Sequence, residues 1–503
     1  MKKLIIWLIG MLFLIVTFAC DRPNNDNDTD GNATQPSGKV SADDGRMRVP
    51  TCGRFTLDGE GEYHMNRQVY VNWNGPGAPT ESCNEPGFGN GEPRPFNAYS
   101  WAMNSFGDYL YVGVMNRVND RVHETGDISE GAEVWRYKPG DAVNSGKWEQ
   151  ELSEGFTRMS NYGVRAMAVY KDQLFAGTFN RADGTELWRR TMDTEAGPGQ
   201  WKAIATGGFG DAGNDSVRAM AEFNGKLYIG SKNNKSGPSL FRYDADTESV
   251  IKVDGATANS AIRITEDVIS ELIAYGDYLW IFTWGSNGFS AYRMDREENI
   301  QLAKNISLDW QNWNREDWQN WKEKLEAAEN ADLSFNNSGI MSSVILNDKL
   351  YVGTVNLNTG AELFVLENPN AADPKTVTWK RVGANVFQVT ENYLWRMQVF
   401  NGQLYIGTWN PYYADKPIKS YNNIGATLYR MDKDEAFCQV IGHNNLIEEG
   451  FGKPENYGVR SMAEHNGRLY IGTAQPFKIE PGISDTPAGN RAGTEVWEFD
   501  PVN

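Results

Sequence analysis

The chain has 503 residues, enough for several ordinary domains or one large repeat fold, and 40% of them are hydrophobic, with 17 Trp, 22 Tyr and 22 Phe to build a core. A formal net charge of −18 argues against a nucleic-acid partner, because phosphate binding needs a positive footprint. Gly 51 against Pro 20 implies many turns rather than a disordered polymer.

The first element in chain order is a targeting signal. Lys2 and Lys3 precede the apolar run "LIIWLIGMLFLIVTFA", whose small last residues lead to Cys20. This resembles a bacterial lipoprotein signal. The resemblance implies cleavage after residue 19, acylation of Cys20, and tethering of an exported protein to a membrane leaflet of the cell envelope. Asp21 resembles an inner-membrane retention signal of enteric bacteria; that rule does not carry across bacteria, so periplasmic and surface-facing placements stay open. Residues 20–45 read as the acylated cysteine and a polar flexible tether. Within it Asp26, Asp28 and Asp30 have the spacing that opens a calcium loop, but Ser37 stands where the loop needs Glu. A solvated linker is therefore expected, with no cofactor.

Residues 46–96 hold the next expected strand and two cysteines. In an exported protein disulfides persist, which makes Cys52–Cys83 the natural pair and leaves Cys438, in "EAFCQV", as a buried strand thiol. The four histidines, His64, His123, His443 and His465, match no zinc or haem spacing, so no metal site is expected.

From residue 97 onward a repeat takes over. Its core recurs as "LYVGV", "LFAGT", "LYIGS", "LWIFT", "LYVGT", "LYIGT" and "LYIGT", starting at Leu110, Leu174, Leu227, Leu279, Leu350, Leu404 and Leu469. The spacing runs from 52 residues (Leu227 to Leu279) to 71 (Leu279 to Leu350). Before each core lies an alternating strand such as "VRAMAVY" and a two-residue turn, Asn-Gly at 224–225, 401–402 and 466–467, a strong hairpin signal. After each comes a third strand, as in "GAEVWRY" (131–137), "GTELWRR" (184–190), "GAELFVL" (360–366) and "GTEVWEF" (493–499), and then a fourth such as "QWKAIA". Four antiparallel strands repeated seven times at periods near fifty predict an all-β chain: a seven-bladed β-propeller of four-stranded antiparallel blades over 97–503. The last copy ends after its third strand, so "RQVYVNW" (67–73) is expected to supply the missing strand and close the ring.

The layout resembles the kelch-type propeller. Arg165, Arg218 and Arg460 hold the repeat's Arg position, and "VWRYKP", "LYRMDK" and "VWEFDP" fit its third strand. The kelch Gly-Gly pair is replaced by Gly-Thr, and a repeat of secreted bacterial propellers, roughly "GVRALAVFNGYLYAGTxNxxTGAEVWRS", is more similar. That resemblance covers 97–503 and implies fold more than chemistry.

The long connections, 114–131, 301–336, 409–426 and 474–493, all emerge at one end of such a propeller, which makes that end the expected working face. Asn161 and Asn456 recur there and suit loop-backbone hydrogen bonding as well as ligand contact. The arginines either crown the channel mouth and attract an anion or pair with Glu133, Glu186, Glu362 or Glu495. Trp101 and Trp395 replace Arg at the same repeat position. The insertion before blade five, "DWQNWNREDWQNWKEKLEAAEN" (309–330), reads as a helix with Trp310, Trp313, Trp318 and Trp321 on one stripe. It is either a packed cap or a stacking platform, to which Trp409 and Tyr412 add further rings. No catalytic signature stands out. The expected function is a membrane-anchored lipoprotein binding a glycan or protein partner without catalysis. The alternative is an exported polysaccharide hydrolase or lyase, with Glu266, Glu391 and Asp215 as loose acid candidates, and a structural envelope subunit is a third possibility.

Overall fold

The structure, a computed structural model, describes residues 55–56, 63–70, 97–116, 131–140, 146–253, 266–285, 288–306, 336–411, 425–442, 448–452, 454, 456–475 and 494–501. Cys20, the tether, Cys52, Cys83, Tyr412 and the segment carrying Trp310, Trp313, Trp318 and Trp321 lie outside the described residues.

Twenty-nine strands among the described residues join in one connected sheet. β1 (Phe55–Thr56) and β2 (Tyr63–Tyr70) come first. β3 (Asn97–Phe106), β4 (Tyr109–Asn116), β5 (Val134–Lys138) and β6 (Lys147–Leu152) then pair antiparallel in chain order. The meander repeats in β7 (Gly163–Tyr170), β8 (Gln173–Phe179), β9 (Leu187–Thr191) and β10 (Trp201–Ala205). It recurs in β11 (Ser216–Phe223), β12 (Lys226–Lys232), β13 (Leu240–Asp244) and β14 (Ser249–Lys252), then in β15 (Val268–Tyr275), β16 (Tyr278–Trp284), β17 (Ser290–Met294) and β18 (Ile300–Asn305). β19 (Gly339–Leu346), β20 (Lys349–Val355), β21 (Leu363–Glu367) and β22 (Thr378–Val382) follow, then β23 (Tyr393–Phe400), β24 (Gln403–Trp409), β25 (Leu428–Met431) and β26 (Phe437–Ile441). In the last set β27 (Gly458–His465), β28 (Arg468–Ala474) and β29 (Glu495–Pro501) pair in order, and β2 lies antiparallel beside β29 with Met65 opposite Phe499.

Neighbouring sets meet edge to edge at one end. Met115 bridges to Gly163, Phe179 to Ser216, and Ala474 back to Tyr99. The inner strands β3, β7, β11, β15, β19, β23 and β27 thus follow one another round a closed circle, with β27 beside β3. This is a β-propeller.

The repeat's residues explain its packing. The core leucines from Leu110 to Leu469 are all fully buried, each worth about 1.5–3 kcal/mol of apolar transfer. They pack between adjacent sheets, as where Leu469 joins Phe400, Leu428 and Ile441 of the preceding set in one cluster. The glycine three residues on permits that approach: a Cβ on Gly177 or Gly407 would stand 2.3 Å from the Cβ of Val217 or Val459 on the next sheet. The threonine after it pins the third strand, Thr178 and Thr473 Oγ1 accepting the Glu186 and Glu495 N–H groups at 2.8 Å. Asn224 and Gly225 take φ of 49° and 70°, the primed turn expected of Asn-Gly. The third strands begin at Val134, Leu187 and Leu363, three residues later than the repeat suggests. The preceding residues turn away to the neighbouring set, Ala132 and Thr185 N–H donating to the Asn161 and Asn214 carbonyls at 2.6 and 2.7 Å.

Candidate functional site

In each inner strand the ladder slips by one residue at the same repeat position. Pairing runs Val164–Thr178 and then Ala166–Gly177, leaving Arg165 out of register. The same slip falls at Trp101, Arg218, Ser270, Met341, Trp395 and Arg460. A bulge re-aims its side chain and carries no ladder bond. Here the bulged side chains converge across the ring. The Arg165 guanidinium lies 4.9 Å from the Trp101 ring, and that of Arg460 lies 5.8 Å from Trp101 and 5.1 Å from Trp395. Arg218 sits 5.4 Å from the Trp284 ring and reaches Met341 Sδ on β19.

Aromatic rings frame these groups. Phe179 meets Trp101 edge-on at 5.5 Å, Trp101 meets Tyr99 at 5.9 Å, and Tyr99 meets Trp395 at 5.9 Å. Trp409 stacks on Tyr393 at 4.4 Å, and Trp284 closes on Tyr393 at 6.1 Å. The Tyr99 and Tyr457 hydroxyls bond to each other. All these residues lie at strand ends from which the long connections leave, which is the expected working face. Trp101 and Trp395 are only 6% and 7% exposed, and guanidinium groups lie over their rings. They act as walls that seat cations.

One step along the inner strands the channel carries charge that the repeat does not announce. Glu271 on β15 is pushed up to about 7 by desolvation, which outweighs the opposing pull of Arg396, of the Ser343 hydroxyl and of Arg460. Burial, with the like charges of Arg165 and Arg396, works against the positive charge of Arg460 and holds its pKa well below the ordinary arginine value. Arg460 is 7% exposed, and its Nε, like that of Arg396, is buried without a hydrogen-bond partner. Nearer the rim, Lys232 pairs with Asp215 at 3.5 Å. Desolvation raises the Asp215 carboxyl against the pull of Lys232, Arg165 and Arg181.

Other expected site residues have structural jobs. Asn161 and Asn456 are fully buried; their Nδ2 groups donate at 2.8 Å to Glu186 and Glu495 and also hold the Gly155 and Gly450 carbonyls. Their Oδ1 atoms accept from Asn180 and Gln475. With no surface to offer, they leave the list of ligand contacts. The same glutamates take the indole N–H of Trp188 and Trp497, as Glu133 takes that of Trp135. The bulge turns the arginines inward, where Arg165 donates to Ser216 Oγ at 3.4 Å and Arg218 reaches Met341 Sδ. Glu391 accepts from Thr427, Tyr429 and the Gln388 N–H, and Glu266 accepts from Ser290.

Cys438, half-buried on β26, is disulfide-bonded, which corrects the expected free thiol. Its partner lies outside the described residues. Among the described residues no three His, Cys, Asp or Glu side chains are grouped to hold a metal, and no helix is long and apolar enough to cross a membrane. The residues that composition and spacing missed are Glu271, Arg396, Tyr99, Tyr457 and Trp284. The readable signal is charge at a small-residue position: Glu271 and Arg396 stand where Ala102, Ala166 and Ala219 stand in other copies.

No protein-family model matches the chain, and no curated protein sequence does. Among solved structures the chain is similar to a candidate 6-phosphogluconolactonase from Bacteroides uniformis, at 12% identity and a TM-score of 0.42, covering 72% of this chain and 88% of that one. It is similar also to Sqt1 from Chaetomium thermophilum, at 10% identity and 0.41, covering 75% and 79%. The β-propeller domain of the Trilobed protease from Pyrococcus furiosus matches at 10% identity and 0.38, covering 76% and 92%. Likeness at this level says nothing of chemistry.

Proposed function

We propose that this chain is an exported lipoprotein of the cell envelope, anchored through Cys20, whose seven-bladed propeller binds a glycan at its channel mouth without catalysis. The observation that carries the reading is the convergence of Trp101, Arg165, Trp395 and Arg460 from separate inner strands onto one mouth. A repeat used only for packing has no call for different bulky side chains at one bulged position. The count of seven is supported by the seven inner strands and by β2 standing beside β29. Aromatic walls with guanidinium and hydroxyl donors between them suit a ligand with many hydroxyls, and a protein partner is what remains if no glycan binds.

The test is a glycan-array screen of the full chain in detergent, beside Trp409→Ala and Trp310/Trp313/Trp318/Trp321→Ala variants of unchanged melting temperature. Selective binding that either variant weakens at least ten-fold is expected. A well-folded wild type that binds no glycan sinks the reading. Anchoring is checked in the same preparation, since Cys20→Ser should move the protein from the membrane to the soluble fraction. Polysaccharide cleavage is the second reading, favoured by one observation: the Glu271 carboxyl lies near 7 beside Arg396 and Arg460, where it could give up a proton at neutral pH. Product release abolished in Glu271→Gln would establish it.

A further inference from the structure

We infer that the channel contains an anion site in which Arg460 and Arg396, with Arg165 beside them, receive a carboxylate or sulfate group of the ligand. The inference deepens the glycan reading and rests on it for the identity of the rest of the ligand, which would then be an acidic saccharide.

The argument starts from an imbalance. Arg460 is 93% buried (7% exposed), and among the described residues it makes no ion pair and no hydrogen bond. Its nearest charged neighbours include two further arginines, Arg165 and Arg396. Removing a guanidinium from water without a partner is costly, and a buried cation is normally paired or replaced by an apolar side chain. Elsewhere this chain follows that rule. Arg190, 1% exposed, donates to Glu151 at 2.9 Å and to Asp193 at 2.6 Å. Arg293, fully buried, donates to the carbonyls of Pro369, Ala371 and Ala372. Arg460 departs from it, and its Nε, like those of the half-buried Arg396 and Arg165 beside it, is buried without a hydrogen-bond partner.

The surroundings seat the guanidinium without neutralising it. Trp101 and Trp395 stand at 5.8 and 5.1 Å from Arg460, offering ring faces that attract a cation without neutralising it. Glu271 lies in electrostatic reach of both Arg396 and Arg460, and even when ionised its single carboxylate cannot balance two guanidinium groups. A planar oxyanion matches what remains: donors in a fork, in a confined channel of low dielectric.

The experiment is calorimetric titration of the full chain in detergent with sodium glucuronate, sodium sulfate and glucose, at constant ionic strength set with chloride. Saturable binding of glucuronate or sulfate, at least ten-fold tighter than glucose, is expected. Arg460→Gln and Arg396→Gln should each lose at least ten-fold. Arg460→Met, which fills the same space without charge, serves as a second variant should Arg460→Gln fail to fold. No saturable anion binding by the wild type, or equal binding by a folded Arg460 variant, overturns the inference. A neutral glycan bound equally by wild type and Arg460→Gln overturns it while leaving the glycan reading intact. Anion binding through Arg460 with an empty glycan array upholds it and removes the glycan reading instead.

Discussion

The most informative single residue is Glu271, because its environment makes a measurable statement about pH. Its carboxyl would titrate at 4.5 in an unfolded chain and titrates at about 7 in the folded one, desolvation being the main cause. Between those values the folded state holds a proton that the unfolded state lacks, so the contribution to stability is complete below about 4.5 and is lost as pH rises through about 7. Glu271→Gln should therefore unfold with a flatter pH profile than the wild type over that window, gaining about 1–3 kcal/mol at pH 8 relative to pH 4.5. Urea melts of both proteins at the two pH values decide it; parallel profiles would mean that Glu271 is well solvated. That Glu271 escapes a first reading of the chain has a plain cause. It sits one residue past the motif position that draws the eye, in "ISELIAY", a worn copy of "VRAMAVY". Only alignment against Ala166 and Ala219 marks it as a charge where the repeat keeps a small side chain.

At the scale of the strand, the repeat was legible because its residues do local work. Asn-Gly at 224–225 forces the hairpin, the leucine that follows enters the core, and the glycine of "LYIGT" lets two sheets touch. Gly177→Ala should be disruptive for that reason, since its Cβ would stand 2.3 Å from Val217 Cβ, a backbone-borne atom that cannot swing aside. Overpacking of this kind costs about 1–3 kcal/mol. A fall of that size in urea is expected, and an unchanged midpoint would show that adjacent sheets slide apart freely. What the strand pattern hid was the bulge. Every inner strand carries it at the same place, so the copies align without a gap and no insertion marks it. This is why the arginines were assignable either to the channel or to the third-strand glutamates, and why only the register Val164–Thr178, Ala166–Gly177 turns Arg165 inward. Asn161 and Asn456 illustrate the converse. Their type suited loop bonding and ligand contact equally, and burial against Glu186 and Glu495 assigns them to the first.

For the whole molecule the governing fact is that the sheets form a ring whose two ends meet through β29, β28 and β3. β2 lies along β29 from Tyr63–Pro501 to Tyr70–Glu495, covering an edge that would otherwise expose a row of ladder groups. Deleting residues 46–75 should then do more than trim a terminus: cooperative thermal unfolding should be lost or fall by more than ten degrees in a calorimeter, and a deletion variant melting like the full chain would refute the closing role. The bulged positions have a different kind of consequence. Each is supplied by its own copy of the repeat, and none contributes a hydrogen bond to the ladder that holds its sheet. Substitution there leaves strand pairing untouched and alters only what the lumen presents. Duplication followed by drift can thus have written Trp101, Arg165, Arg218, Ser270, Met341, Trp395 and Arg460 independently onto one scaffold. On that view selectivity in such propellers is an evolvable alphabet, changed one letter at a time while the ring stays constant.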